Sequence, residues 1–215
     1  MHRNPLQCVS RFCRDGFTPS PLVWLRRFPH RRGYGIHSPW AYAFVRGVLL
    51  ERGHYYAYAE LEHTYPWLTR RLRHHTIQCQ RLMLRLANYA QAQNCLIYGS
   101  GAKDESSESQ HPEWPWLHAG APQMRLTTIS ANGQTDVDDA TDALTIVRAD
   151  ALANYLLQPC QMLVVEGIHQ DKAHLKIWHQ IQADERTGCT FDLYSYGIVF
   201  FDRKRHKQHY IISFP

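Results

Sequence analysis

The 215-residue sequence lacks the long apolar runs that membrane-spanning helices require, because such a helix needs roughly 18 or more consecutive apolar residues. It also lacks a continuous apolar stretch before Pro21, so we expect neither a membrane span nor a secretory signal peptide. Hydrophobic residues nevertheless make up 44% of the chain. This proportion is typical of a globular protein with one sizeable core.

Several short motifs with a known chemistry are absent as well. The sequence contains no G-x-S-x-G turn of the kind that carries a nucleophilic serine and no G-x-x-x-x-G-K-[ST] phosphate loop. Its six cysteines are scattered without a C-x-x-C pair, which argues against a redox or zinc motif. Three of them lie inside apolar strand or helix patterns, as buried free thiols do. We therefore expect a reduced, cytoplasmic compartment.

Acidic residues are scarce at the N-terminus. Residues 1–50 contain eight arginines and a single acid, Asp15. We define residues 1–37, which show no clear periodicity, as a basic N-terminal arm. Such an arm could bind nucleic acid, an anionic membrane surface or an acidic partner, or it could be a solvated extension. Because aromatic residues do not alternate regularly with the basic ones, nucleic acid is not the favoured partner.

Residues 38–92 predict a helical front section. Ser38 is a suitable N-cap and Pro39 suits the first helical position, so a helix should begin there. A second helix is predicted from about Pro66 to Tyr89. Its arginines should lie largely on the outside, and they are Arg70, Arg71, Arg73, Arg81 and Arg85.

The later part of the chain alternates between short apolar runs and helical segments. Continuous apolar runs are typical of parallel strands that are covered on both faces. The predicted strands are 95–98, 126–129, 144–147, 162–165, 191–194, 197–201 and 210–214. The last two, joined by the polar segment 202–209, predict an antiparallel hairpin. The order indicates an α/β protein with a Rossmann-like, mostly parallel sheet, an antiparallel C-terminal hairpin and an N-terminal helical extension.

Three connecting segments carry further predictions. Residues 150–157 predict a short crossover helix, and 171–184 a longer one with Leu175, Trp178 and Ile181 on one face. Residues 102–125 should supply the first crossover helix, but they contain three prolines and no usable apolar stripe. Either that helix is very short or a loop replaces it.

The first candidate site is the turn Gly99-Ser100-Gly101, directly after a predicted strand. Glycine lets the backbone approach a nucleotide or S-adenosylmethionine closely, although a plain turn between strand and loop explains the same residues. A cofactor's ribose would also require a carboxylate after the second strand. Ser130 stands there instead, and it could still form a hydrogen bond.

The second candidate site follows the predicted strand 162–165. Glu166 and His169 lie where open parallel sheets bind their ligands, so they could act as general base or polar anchor. Alternatively, Glu166 ends the strand, and His169 with Asp171 caps the next helix. A metal site is not predicted, because a spacing of five residues sends His169, His174 and a third histidine, His179, to diverging helix faces.

Five blocks of sequence resemble, in order, the Bacteroidetes-type class I S-adenosylmethionine-dependent methyltransferases of unassigned substrate. Gly33-Tyr34-Gly35-Ile36-His37-Ser38-Pro39-Trp40 is similar to that family's G-x-G-V-H-S-P-F. The other similar blocks are Y-Y-x-Y at 55–58, the helix end at 85–89, D-D-I-H-W-S-K…W at 166–178 and the closing strands at 192–210.

The resemblance implies that residues 38–215 form a methyltransferase-like domain with S-adenosylmethionine as cofactor. Gly99, Ser100, Gly101 and Ser130 would then bind the cofactor, and Glu166 and His169 would face an unidentified methyl acceptor. The sequence departs from the family where Ile97 replaces an acid and Lys103 a glycine. Two functions therefore stay open: a methyltransferase, or an inactive pseudo-methyltransferase that binds a protein partner or acts as a scaffold.

Overall fold

The computed structural model describes most of the chain, namely residues 20–62, 70–99, 113–130, 141–202 and 206–214. These residues form two compact units. A helical unit comprises the described residues up to Gln91 together with 113–123 and Phe214, and a sheet unit comprises the described residues of 92–99 and 124–213.

The helical unit begins with short helices and contains one long one. Its described residues form the α-helices α1 (Pro21–Arg27), α2 (Pro39–Phe44), α3 (Tyr56–Leu61), α4 (Arg70–Ala90) and α5 (Trp114–Gly120). A kinked 3₁₀ segment, Phe28–Gly33, follows α1, and a π-helical segment, Val45–Leu49, follows α2. The predicted start of α2 is confirmed, because the Ser38 hydroxyl accepts a hydrogen bond from the N–H of Ala41 at 3.4 Å.

Helix α4 corrects one prediction about its arginines. Arg85 is not on the outside: it is only 4% exposed and donates hydrogen bonds to the carbonyls of Glu51, at 2.7 Å, and Leu49, at 3.3 Å. The carbonyls at the end of a helical segment lack partners within it, so a guanidinium with several donors can satisfy two of them. Leu82 and Leu86, which are four residues apart on this helix, are both buried.

Helix α5 shows which of the two alternatives for residues 102–125, a very short helix or a loop, is correct. The helix is very short, only seven residues, and it begins immediately before Pro115. Proline is tolerated in the first turn of a helix, where its missing N–H would have no partner in any case. Residues 100–112 lie outside the described part of the chain.

The sheet unit has one seven-stranded sheet and a helix of twelve residues. The elements are β1 (Asn94–Tyr98), β2 (Arg125–Ile129), β3 (Ala143–Val147), β4 (Met162–Glu166), α6 (Lys172–Ala183), β5 (Cys189–Asp192), β6 (Tyr196–Phe200) and β7 (Gln208–Ile211). The strand order is β2-β1-β3-β4-β6-β5-β7. Four of the six pairings that these strands form are parallel. The predicted α/β class with a mostly parallel sheet is therefore confirmed and is compatible with a Rossmann-like fold.

The core of the sheet unit lies where α6 covers the central strands. Trp178 and Ile181 of α6 are buried together with Leu163, Val165 and Val199 of the sheet. Strands β3 and β4 are buried along their whole length, whereas the edge strand β2 alternates between exposed and partly buried residues before Ile129. Asp171 caps α6, because its carboxylate accepts a hydrogen bond from the N–H of His174 at 2.9 Å.

An antiparallel C-terminal hairpin exists, but the prediction that the last two strands form it is wrong. The antiparallel hairpin is β5–β6, closed by a hydrogen bond of 2.8 Å from the N–H of Leu193 to the carbonyl of Tyr196. The last strand, β7, pairs with β5 in parallel instead of with β6. Because β6 ends beside the first residue of β5, a strand that begins at the same end on the far side of β5 runs parallel to it.

The predicted crossover helix at 150–157 is also wrong. Residues 149–154 form consecutive turns, with hydrogen bonds of 3.0 Å from Ala151 N–H to the Arg148 carbonyl and from Asn154 N–H to the Ala151 carbonyl. Asn154 and Tyr155 are weak helix formers, and Pro159 follows closely, so a regular helix has little room to propagate.

Two further expectations can be compared with the structure. Among the described residues, four cysteines are buried free thiols, one more than the three that the sequence predicts, and they are Cys79, Cys95, Cys160 and Cys189. Within the described ranges, no helix combines the length and the apolar character needed to cross a bilayer.

Candidate functional site

The strand order of the sheet unit has one switch point, between β1 and β3. Strand β2 follows β1 in the chain and pairs with one side of it, and β3 then pairs with the other side. In open α/β sheets, ligands bind beyond the carboxyl ends of the strands at such a point, because the connections diverge there and leave a crevice. The residues that directly follow β1 and β3 are therefore the first place to look for a site.

Gly99 is the residue that follows β1, as the sequence predicts for its candidate turn. Its N–H donates a hydrogen bond of 3.2 Å to the carbonyl of Ile129, which extends the pairing of β1 with β2. A Cβ added at Gly99 would lie 2.7 Å from Cδ and 2.9 Å from Cβ of Arg148, and 3.0 Å from a carboxylate oxygen of Asp150. The side of Gly99 where a side chain would point is therefore occupied by the residues after β3.

Arg148 and Asp150 are thus part of the site, and neither is among the candidates that the sequence predicts. The N–H of Arg148 donates a hydrogen bond of 2.9 Å to the carbonyl of Tyr98, which holds the end of β3 against the end of β1. Asp150 is exposed and brings a carboxylate to the switch point. Their position directly after the apolar run 144–147 is the feature that could have identified them.

The remaining cofactor candidates are only partly described. Ser130 follows β2 and is exposed. Its strand is next to β1 but three strand spacings from β4, which corresponds to about 14 Å. Ser100 and Gly101 lie outside the described residues. The structure therefore places Gly99 beside Arg148 and Asp150 and places Ser130 far from Glu166.

Glu166 is the last residue of β4 and lies opposite Tyr196 in the antiparallel pairing with β6. It is only 2% exposed. A carboxylate at this depth can contact a bulky ligand only if its surroundings move. Of the two residues predicted to face an acceptor, His169 is the more accessible, since 22% of its side chain is exposed.

His169 forms a pair with Asp192, the last residue of β5. The imidazole Nε2 and the carboxylate Oδ2 are 2.7 Å apart, and the other carboxylate oxygen accepts a hydrogen bond of 2.8 Å from the N–H of Tyr194. The ring of Tyr194 stacks on the imidazole, with centroids 4.9 Å apart. A carboxylate that accepts the Nε2 proton fixes the neutral tautomer of the imidazole. Nδ1 then becomes the basic nitrogen, and it has no hydrogen-bond partner among the described residues.

This arrangement depends on the hairpin turn between β5 and β6. Tyr194 adopts a left-handed backbone conformation, with φ of 73°, which is uncommon for a residue other than glycine. The turn brings the Tyr194 N–H to Asp192 and the phenol ring to His169. The sequence predicts His169 but not its partner, because Asp192 is 23 residues further along the chain.

The three histidines of the segment do not converge. His169 contacts Asp192, whereas the ring nitrogens of His174 lie 2.9 Å from an Asp171 carboxylate oxygen and 3.0 Å from the Ala149 carbonyl. His179 is exposed on α6. Within the described ranges, no three histidine, cysteine, aspartate or glutamate side chains come together in a group that could hold a metal ion.

Two titratable groups of the sheet unit, the buried Cys160 and the partly buried Tyr155, are unsuited to acid–base chemistry. Burial raises the pKa of the Cys160 thiol to about 12 and raises the pKa of the Tyr155 phenol as well. Both groups are therefore protonated at neutral pH, and neither can serve as nucleophile or general base. Neither group therefore competes as a base with the imidazole of His169, which follows the carboxyl end of β4.

Comparisons with known proteins do not assign the chain to a family. No family model matches the sequence, and no curated protein matches it.

Proposed function

We propose that this chain is an inactive pseudo-methyltransferase, a Rossmann-like protein that keeps the sheet of a methyltransferase-like domain and acts as a binding or scaffolding module. The observation that carries the proposal is the contact of Arg148 with Gly99. In a cofactor site, the glycine after β1 would leave its bare side open so that the ligand can approach the backbone. Here that side faces Arg148 and Asp150.

The charges around Gly99 add to this argument. Arg148 and Asp150 bring side chains of opposite charge to this side of Gly99, so together they offer the cationic sulfonium of S-adenosylmethionine no net negative charge. Ser130 offers a hydroxyl where a ribose would be held best by a carboxylate. Asp150 could accept a hydrogen bond from a ribose, but its carboxylate lies on the side of Gly99 that Arg148 shares. These residues fit the cofactor poorly.

Calorimetric titration of the full chain with S-adenosylmethionine and S-adenosylhomocysteine tests the proposal. We expect no heat of binding at millimolar ligand, because Arg148 takes up the approach to Gly99. Circular dichroism of the same sample should show that the protein is folded. Micromolar binding by the unmodified protein would overturn the proposal.

The variant Arg148→Ala tests whether this side chain is what prevents cofactor binding, since it removes the Cδ atom that lies over Gly99. We expect this variant to bind S-adenosylhomocysteine detectably, whereas Arg125→Ala, which removes an exposed arginine at the start of β2, should behave like the unmodified protein. If Arg148→Ala gains no binding, its side chain is not what excludes the cofactor.

An active methyltransferase is the second candidate, and the His169–Asp192 pair favours it. Methyl transfer depends mainly on positioning, but an acceptor that carries a proton also needs a base. The imidazole Nδ1 of His169 could take that proton, while Asp192 would stabilise the resulting imidazolium. No metal and no further acid–base group is needed for this step.

This candidate makes a separate prediction about turnover. If the unmodified protein releases S-adenosylhomocysteine from S-adenosylmethionine with any acceptor, His169→Ala and Asp192→Asn should each lower the rate about 100-fold or more while binding is retained. His179→Ala, an exposed histidine on α6, is the matched control and should have no effect. Equal rates in all three variants would exclude His169 as the base.

A further inference from the structure

The segment that follows Ser20 exposes an unusual amount of apolar surface. Ten large hydrophobic side chains are classed as exposed among the described residues, and five of them lie within residues 21–34. Their exposed fractions are Leu22 74%, Tyr34 74%, Leu25 63%, Trp24 48% and Phe28 45%. Single exposed apolar residues are ordinary, but a cluster of this kind marks a surface that another molecule covers.

Four of these side chains belong to one stripe of α1 and its C-cap. The helix is begun by the Ser20 hydroxyl, which accepts a hydrogen bond from the N–H of Val23 at 3.4 Å. At 100° per residue, the stripe covers about half of the helix circumference, and its members are Leu22, Trp24, Leu25 and Phe28. The rings of Trp24 and Phe28 meet edge to face, with centroids 5.3 Å apart.

Positive charge borders this stripe. Arg26 and Arg32 are exposed, and the guanidinium of Arg31 lies 4.8 Å from the centre of the Phe28 ring. Residues 16–50 contain five arginines and no acidic residue. A surface that combines exposed leucines and aromatics with exposed arginines is complementary to an anionic lipid headgroup layer above hydrocarbon.

The exposed leucines favour a membrane over a nucleic acid as the binding partner of this segment. Single-stranded nucleic acid is bound by arginines and by aromatic rings on which the bases stack. Leu22 and Leu25 are the most exposed of the large hydrophobic side chains of α1, and they have no ring face for a base. Aliphatic side chains next to Trp24 match the acyl and interfacial layers of a bilayer instead.

We propose that residues 21–34 bind the surface of an anionic phospholipid bilayer, with Leu22, Trp24 and Leu25 inserted at the acyl boundary and the arginines among the headgroups. The segment lies on the surface and does not span the bilayer, since α1 has seven residues. This proposal does not depend on whether the sheet unit binds S-adenosylmethionine.

Sedimentation of the full chain with vesicles tests the proposal. The protein should bind vesicles of phosphatidylcholine mixed with phosphatidylglycerol and should bind pure phosphatidylcholine much more weakly. The double variant Leu22→Ser/Leu25→Ser should lower the partition coefficient on the mixed vesicles about tenfold or more, because it removes two inserted side chains. Leu156→Ser, an exposed leucine of the sheet unit, is the matched control and should not change binding.

A second pair of variants separates the contribution of charge. Arg26→Gln/Arg32→Gln should weaken binding to the mixed vesicles about tenfold, whereas Arg52→Gln/Arg125→Gln, two exposed arginines outside the segment, should not. Circular dichroism confirms that each variant is folded. The proposal is overturned if the unmodified protein ignores anionic vesicles or if the leucine variant binds them as well. Binding to a single-stranded oligonucleotide without binding to vesicles would assign the segment to nucleic acid.

Discussion

Replacing Gly197 with alanine should destabilise the sheet unit by about 1–3 kcal/mol, the usual range for overpacking a filled core. Gly197 lies in β6, directly beneath the indole of Trp178 on α6. An added Cβ would lie 2.5 Å from Cζ3 and 2.6 Å from Cη2 of that ring, well inside the separation of about 3.5–4.0 Å at which carbon atoms attract. Trp178 is fully buried, so neither the ring nor α6 can retreat without disturbing the core.

Urea denaturation, monitored through the hydrogen exchange of peptides from β6 and α6, measures this loss of stability. The decisive comparison is a double-mutant cycle with Trp178→Leu, which shortens the side chain that the new methyl group would contact. In that background, Gly197→Ala should cost clearly less, although Trp178→Leu is itself destabilising because it leaves a cavity. An equal cost in both backgrounds would show that the glycine is needed for some reason other than the indole.

The central part of the fold could be predicted from the sequence because its signals are local. The strands β1, β3 and β4 are covered on both faces, so each is a continuous apolar run that can be read directly. Helix caps such as Ser38 act over three residues and are equally visible. The partner of β7 could not be predicted in this way, because pairing with β5 and pairing with β6 would bury the same residues of β7. Which of the two strands β7 joins depends on where β6 ends.

The candidate site follows the same rule. Positions after strand ends identify Gly99 and His169 as candidates, since the carboxyl edge of the sheet is where ligands bind. What each residue does there depends on contacts between distant segments: Arg148 lies over Gly99, and Asp192 lies against His169. Arg85 shows the same limit in the helical unit, because its helical position alone does not reveal that the carbonyls of Leu49 and Glu51 are within reach.

Gly120→Ala should destabilise the helical unit, although alanine is intrinsically the better helix former by about 1 kcal/mol. Gly120 is the last residue of α5 and lies against α4. A Cβ there would overlap the carbonyl oxygen of Leu84 and come within 3.0 Å of both Ala87 Cβ and the backbone nitrogen of Asn88. Because two of these atoms are backbone, α5 as a whole must shift, at a cost of about 1–3 kcal/mol. The clash should therefore outweigh the gain in helix propensity.

Gly47→Ala provides the matched control within the same unit. Gly47 lies in the π-helical segment Val45–Leu49, and a Cβ added there meets no atom within 4 Å. This change should be neutral or stabilise the unit by up to about 1 kcal/mol, because alanine loses less backbone entropy on folding than glycine does. The urea midpoint should thus fall in Gly120→Ala and should stay unchanged or rise in Gly47→Ala. If both variants are stabilised, α5 yields to the added methyl group, and the close approach of α5 to α4 at Gly120 contributes little to the stability of the unit.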